Sequence, residues 1–191
     1  VKAVDLRRVD FALIPEDPLF TAVIDASQAI TDEFYYNANV IDDTTFPPHL
    51  SLHICTVPYD NLSRVVDSLK TLAAADLPDL VPIGVERADG GYVMLNLEPT
   101  AELMALHEAI LRIAGEAREN LGLDKYDSPY IRELFTPHMS LAKVDYRDQA
   151  EAVTIGREVL GELSAGTVRT LDLCDIGERS ERWEILASLP E

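Results

Sequence analysis

Four side chains stand out in this sequence for the chemistry they could do together. The segment Phe46-Pro47-Pro48-His49-Leu50-Ser51-Leu52 returns as Phe135-Thr136-Pro137-His138-Met139-Ser140-Leu141, with five of seven positions identical and a sixth changed only from Leu to Met. A histidine, with an ordinary pKa of about 6.5, holds or releases a proton near neutrality. Two imidazoles aimed at one point can take a proton from an attacking hydroxyl or water and give one to a leaving oxygen. Positioned groups of this kind contribute about 10²–10⁴-fold each in rate. Serine hydroxyls beside them can donate hydrogen bonds to the non-bridging oxygens of a phosphate, where negative charge accumulates. The chemistry that uses such a set is cleavage of a phosphodiester or opening of a cyclic phosphate, and the scheme calls for no metal and no cofactor. A nucleophilic serine fits less well, because neither Ser51 nor Ser140 lies in a G-x-S-x-G elbow.

The elements that must position these residues follow from hydrophobic period and from punctuation by Pro and Gly. Val9 to Ile14 reads as a strand that stops at Pro15, and Leu19, Val23, Ala26 and Ile30 mark a helix from about Pro18 to Phe34. A polar loop from Tyr36 to Pro48 leads into a strand from His49 to Val57, and a helix follows from Asn61 to Ala75. Val81 to Glu86 and Tyr92 to Leu97 read as strands joined by the tight-turn sequence Ala88-Asp89-Gly90-Gly91. Thr100 is placed to cap a helix that runs to near Gly122, with Leu103, Leu106, Ile110, Ile113 and Ala117 on one face. After a polar loop from Asp124 to Pro137 come a strand from His138 to Val144, a helix from about Gln149 to Leu163, and strands at Val168 to Ile176 and Trp183 to Leu189.

The two halves, about 1–90 and 91–191, thus share one order: strand, helix, loop, histidine strand, helix, strand. This is the mark of a duplicated unit within one domain spanning 1–191. Residues two apart in a strand share a face, so each histidine should lie beside its serine while Leu50, Leu52, Met139 and Leu141 face a core. By the same alternation His53 shares the face of His49 and Ser51, as either a pocket-lining or a partly buried group, whereas Ala142 holds the matching place in the second copy.

Bulk properties narrow the partners. A net charge of −18, from 34 acidic and 16 basic residues, disfavours a protein that grips a long nucleic-acid duplex by its phosphates. A local positive spot could still receive a small nucleotide or an RNA end. No apolar run approaches the roughly 20 residues that span a bilayer, which predicts no membrane segment. Cys55 and Cys174 sit in separate apolar stretches and read as buried thiols, favouring a reducing, cytoplasmic setting. The sequence carries no marker of an oligomeric state.

Further residues carry weaker signals. His49 and His53 have an H-x₃-H spacing that brings metal ligands together on a helix, not in a strand. His107, beside a helical apolar stripe, reads as a boundary residue, and Asp42-Asp43 as a solvated loop pair. Before the second motif, Tyr130 could stack on a base and Arg132 could meet a phosphate.

The paired His-x-Ser segments resemble the 2H phosphoesterase superfamily, which includes the 2′-5′ RNA ligase-like enzymes and other cyclic phosphodiesterases. That family carries two His-x-Thr/Ser-x motifs. The resemblance implies catalytic roles for His49 and His138, phosphate binding by Ser51 and Ser140, and metal-independent attack on cyclic phosphates or 2′-5′ linkages. It also implies a bilobal α+β fold, with pseudo-symmetric lobes of sheet and helix around a central cleft. Serine in place of the commoner threonine keeps the hydroxyl and loses one methyl group. A non-catalytic nucleotide-binding module with the same cleft is the alternative.

Overall fold

The structure, a computed structural model, describes residues 5–34, 41–73, 77–118, 134–177 and 183–190. Among them the element order is β1 (Leu6–Pro15), α1 (Leu19–Phe34), β2 (Leu50–Pro58), α2 (Leu62–Ala73), β3 (Pro82–Ala88), β4 (Tyr92–Leu97), α3 (Ala101–Ala117), β5 (His138–Lys143), α4 (Gln149–Leu160), β6 (Val168–Asp175) and β7 (Glu184–Leu189). The expected stripe of α1, from Leu19 through Val23 and Ala26 to Ile30, is buried. Thr100 caps α3 by accepting a hydrogen bond from the Leu103 N–H at 3.2 Å. α4 stops three residues before the expected Leu163 because Gly161, at φ 56°, turns the chain out of the helix.

The strands form two antiparallel sheets, ordered β2-β1-β6-β7 and β3-β4-β5. The fold is α+β. Element by element, β1-α1-β2-α2-β3 repeats as β4-α3-β5-α4-β6, with β7 added. The sheets, however, do not follow the halves of the sequence. Each half sends its third strand to the other's sheet: β3 lies beside β4, and β6 lies beside β1. The first helix of each unit crosses as well. α1 packs on β5 and α4 against the three-stranded sheet, whereas α3 packs on β2 against the four-stranded one, with α2 beside it. One continuous cluster of buried side chains, from Phe11 and Leu13 through Leu52 and Leu103 to Leu141 and Leu173, runs beneath both sheets.

The β3–β4 turn fixes the second sheet. Gly91 sits at φ +86°, and its carbonyl accepts from the Val144 N–H at 2.9 Å, which ties the turn to the end of β5. Gln149, at the start of α4, donates to the carbonyls of Ala88 and Tyr92 at 2.8 and 2.9 Å. His107 is not a boundary residue. It is fully buried, its ring Nδ1–H donates to the Leu52 carbonyl at 2.8 Å, and its face stacks on Phe135 at 4.0 Å and 5°. Sequence spacing puts it at the edge of the α3 stripe, but the packing of α3 on β2 closes over that edge. Through His107, the entry to the second motif is joined to the strand of the first.

No helix among the described residues is long and apolar enough to cross a membrane.

Candidate active site

The two motif segments occupy matching places: β2 is the edge strand beside β1, and β5 is the edge strand beside β4. The two edge strands touch each other. Alternation sends Leu50, Leu52, Met139 and Leu141 into the core, leaving His49, Ser51, His138 and Ser140 half-buried. Cross-strand register places Ala12 opposite Ser51 on one side, and Asn96 and Met94 opposite His138 and Ser140 on the other.

Alternation then breaks, and it breaks at the same point in both copies. In the β1–β2 ladder Ala12 pairs with Ser51 but Phe11 pairs with His53, so Leu52 is an extra residue. In the β4–β5 ladder Met94 pairs with Ser140 and Val93 with Ala142, so Leu141 is the extra residue. A β-bulge of this kind shifts all that follows to the opposite face. His53 therefore lies on the core-side face with Phe11, 7% exposed, and does not share the face of Ser51 as simple alternation predicts. Its counterpart Ala142 is buried in the same way. Tyr130 and Arg132 lie outside the described residues.

Both histidine rings are held alike. The Nδ1–H of His49 donates to the Pro47 carbonyl, and that of His138 to the Thr136 carbonyl, each at 2.7 Å. A carbonyl only accepts, so these bonds fix the proton of the neutral ring on Nδ1 and leave Nε2 for a substrate. Burial pushes the pKa of both imidazoles below the ordinary value, opposed by the bonds to Pro47 and Thr136, and the charge of His49 lowers that of His138 further. A pair coupled in this sense takes up one proton more readily than two, the state in which one member is an acid and the other a base.

The loop before His49 is set by Asp42. Its Oδ1 accepts from the N–H groups of Thr44, Thr45 and Phe46, and its own N–H donates to the Phe46 carbonyl at 3.0 Å. Asp42 is thus a turn-holding residue. Partial burial raises its pKa, but the Thr45, Thr44 and Phe46 bonds outweigh that and hold the carboxyl below its usual range. A lowered folded-state pKa adds stability that is present above the unfolded value and is lost as pH falls through the folded one. Asp42→Ala is expected to cost about 1 kcal/mol near neutrality, as for a lost side-chain cap. That deficit should shrink as pH falls below the ordinary carboxyl value of 3.8 in urea unfolding; an equal deficit at all pH values would overturn this role.

Two residues outside the motifs complete the cluster. Asp10, on β1, is buried; its Oδ2 accepts from the Ser51 hydroxyl at 2.6 Å and lies 4.0 Å from His49 Nε2. Trp183, just before β7, lies against the His49 ring at 4.3 Å between centroids and 41° between planes. Neither could be read from spacing, since each arrives through pairing of distant strands. Trp183 is the chain's single tryptophan. An imidazolium quenches an adjacent excited indole by accepting an electron. Its fluorescence should therefore fall as pH drops below the ordinary imidazole value of 6.5, and this step should be missing in His49→Ala. An unchanged step there would place the quencher elsewhere.

Comparison with known proteins places the chain in a family and shows its fold elsewhere. The family model described as the 2′-5′ RNA ligase superfamily matches residues 15–173, and the chain belongs to that superfamily. The 2H phosphoesterase resemblance of the paired segments and the fold of solved relatives point the same way. The fold is similar to that of Escherichia coli LigT complexed with NADP+, at 15% identity over 98% of this chain and 99% of that one, with a TM-score of 0.54. It is also similar to TT0787 of Thermus thermophilus, at 15% identity over 95% of this chain and 96% of that one, with a TM-score of 0.56. No curated protein sequence matches the chain.

Proposed function

We propose that this protein is a phosphodiesterase that hydrolyses a cyclic phosphate on a small nucleotide or an RNA end, with His49 and His138 as the acid–base pair. The observation that carries this reading is the matched tethering of the two imidazoles through Nδ1, each beside a serine on the same strand face. One Nε2 takes a proton from water as the water oxygen bonds to phosphorus. The ring P–O bond breaks, and the other Nε2–H gives its proton to the leaving oxygen. The product is a phosphomonoester, and the proton count closes when the two histidines re-equilibrate. Ser51 and Ser140 are the proposed donors to the non-bridging oxygens.

Burial keeps both imidazoles largely neutral before substrate arrives. A phosphate anion between them raises their pKa values and recruits the one proton that the acid needs. A nucleotide as the substrate class is supported by the NADP+ bound to LigT and by the net charge of −18, which disfavours a long polyanion.

The test is turnover, with EDTA present, of 2′,3′-cyclic nucleotides, an ADP-ribose cyclic phosphate, 3′,5′-cyclic and cyclic dinucleotides, and 2′-5′ oligoadenylate. Hydrolysis of one class that persists in EDTA supports the reading and names the substrate. Binding without turnover of any of them would replace it with a nucleotide-binding module.

A further inference from the structure

The two half-sites are built on one plan, but one difference between them bears directly on the serines. On β1, Asp10 pairs with Ile54; on β4, the matching register position is Tyr92, paired with Lys143. Ser51 therefore has a carboxyl partner at 2.6 Å, and the residue at the corresponding place beside Ser140 is an aromatic. That aromatic ring lies 5.0 Å beneath the Lys143 ammonium.

An ionised Asp10 can only accept, so it holds the Ser51 hydrogen and turns the hydroxyl's lone pairs outward. A phosphate oxygen arriving at Ser51 would then meet lone pairs. A protonated Asp10 can donate to Ser51 instead and release the Ser51 hydrogen toward the anion. We propose that Asp10 is a positioning residue whose protonation sets the direction of the Ser51 hydroxyl, so that occupation of this half-site by a phosphate-like anion takes up a proton at Asp10.

The surroundings favour this proton uptake. Asp10 is 2% exposed, and its Oδ1 finds no hydrogen-bond partner among the described residues, a costly state for a buried carboxylate. Cys174 of β6 pairs directly opposite it, and the carboxyl of Asp172 lies on the same face of that strand. On its own strand Arg8 is the cation whose charge acts on it, while β2 contributes Ser51 and the chain just before that strand contributes His49. Burial raises the Asp10 pKa, the Ser51 bond and Arg8 lower it, and the outcome is a value of about 7. The carboxyl thus changes state where the proposed enzyme would work.

The inference rests on Ser51 being a phosphate-binding hydroxyl, and the test separates the two claims. Sulfate is the probe because its charge is fixed over the range used. Its affinity is measured by calorimetry at constant ionic strength from about pH 6 to pH 9, where each proton whose uptake is obligatory weakens binding about tenfold per pH unit. The histidine pair supplies one such proton, and in the wild type Asp10 should add a second from near pH 7 upward. Asp10→Asn, whose amide donates to Ser51 at every pH, should keep only the histidine part of the slope and bind more tightly than the wild type at high pH. Ser51→Ala should bind more weakly and lose the Asp10 part of the slope, while Ser140→Ala should bind more weakly and keep both parts. If Ser51→Ala retains the full wild-type slope, Asp10 acts by simple repulsion and the hydroxyl switch is wrong. If wild type and Asp10→Asn bind with the same pH dependence, Asp10 has no such role although the anion site stands. Absence of sulfate binding at any pH would overturn the anion site and the switch together.

Discussion

Alanine in place of either His49 or His138 should lower turnover of the cyclic phosphate by about 10²–10⁴-fold without unfolding the protein. The expected structural cost is small, because each ring is half-buried and makes one hydrogen bond to a neighbouring carbonyl. Such a bond contributes about 1 kcal/mol. The two losses should not add, since removing the acid from an acid–base pair leaves little for the base to do. The double variant is then expected to be about as slow as either single one. The pH profile should also separate the two. With its partner absent, His138 no longer feels the charge of His49, so its titration moves up in His49→Ala. Turnover close to wild type in either single variant, measured on correctly folded protein, would overturn the paired-histidine mechanism.

Gly91→Ala should be the most damaging substitution outside the site, with an expected cost of about 2–4 kcal/mol. Two separate penalties meet there. The backbone at φ +86° lies in the left-handed region that suits glycine, and an added Cβ would stand 2.2 Å from the Val144 carbonyl oxygen. That oxygen is backbone and cannot rotate away. Relief requires the turn to leave the end of β5, breaking the hydrogen bond from the Val144 N–H to the Gly91 carbonyl. Because β5 carries His138 and Ser140, the variant should lose activity as well as stability. Gly90→Ala makes a useful comparison: its φ is also positive, but the nearest atoms to its Cβ are carbons of the Tyr92 ring at 3.4 Å. Equal unfolding midpoints in urea for the two variants would show that the Val144 contact is unimportant.

Much of this architecture is legible in the sequence, for physical reasons. Leu19, Val23, Ala26 and Ile30 announce α1 because a helix that packs on a sheet must bury a stripe at that period. The faces of Leu50, Ser51, Met139 and Ser140 follow from the pleat alone. The pleat misleads beyond Leu52 and Leu141, because nothing in Ser-Leu-His or Ser-Leu-Ala marks an extra residue. Neither bulge uses a glycine or proline, so the break is visible only in the cross-strand register. Spacing misplaces His107 for a related reason: its burial and its bond to Leu52 depend on which sheet α3 covers. Asp10 reads as an ordinary polar residue in an apolar strand. Its meaning comes from Ser51, 41 residues away along the chain.

The exchange of third strands has a consequence for how the chain comes off the ribosome. β1 and β2 can pair early, but the other edge of β1 is closed only by β6, in which Asp172 joins Ala12 and Cys174 joins Asp10. Until residues 168–175 have been made, that edge of β1 lacks its partner and Asp10 lacks one wall of its burial. The first sheet should therefore be among the last parts to become protease-resistant during synthesis, as expected for pairings of large sequence separation. The three-stranded sheet, whose β3, β4 and β5 all precede β6 in the chain, can close first. In this order of assembly, the half-site with the buried carboxyl is completed after its twin.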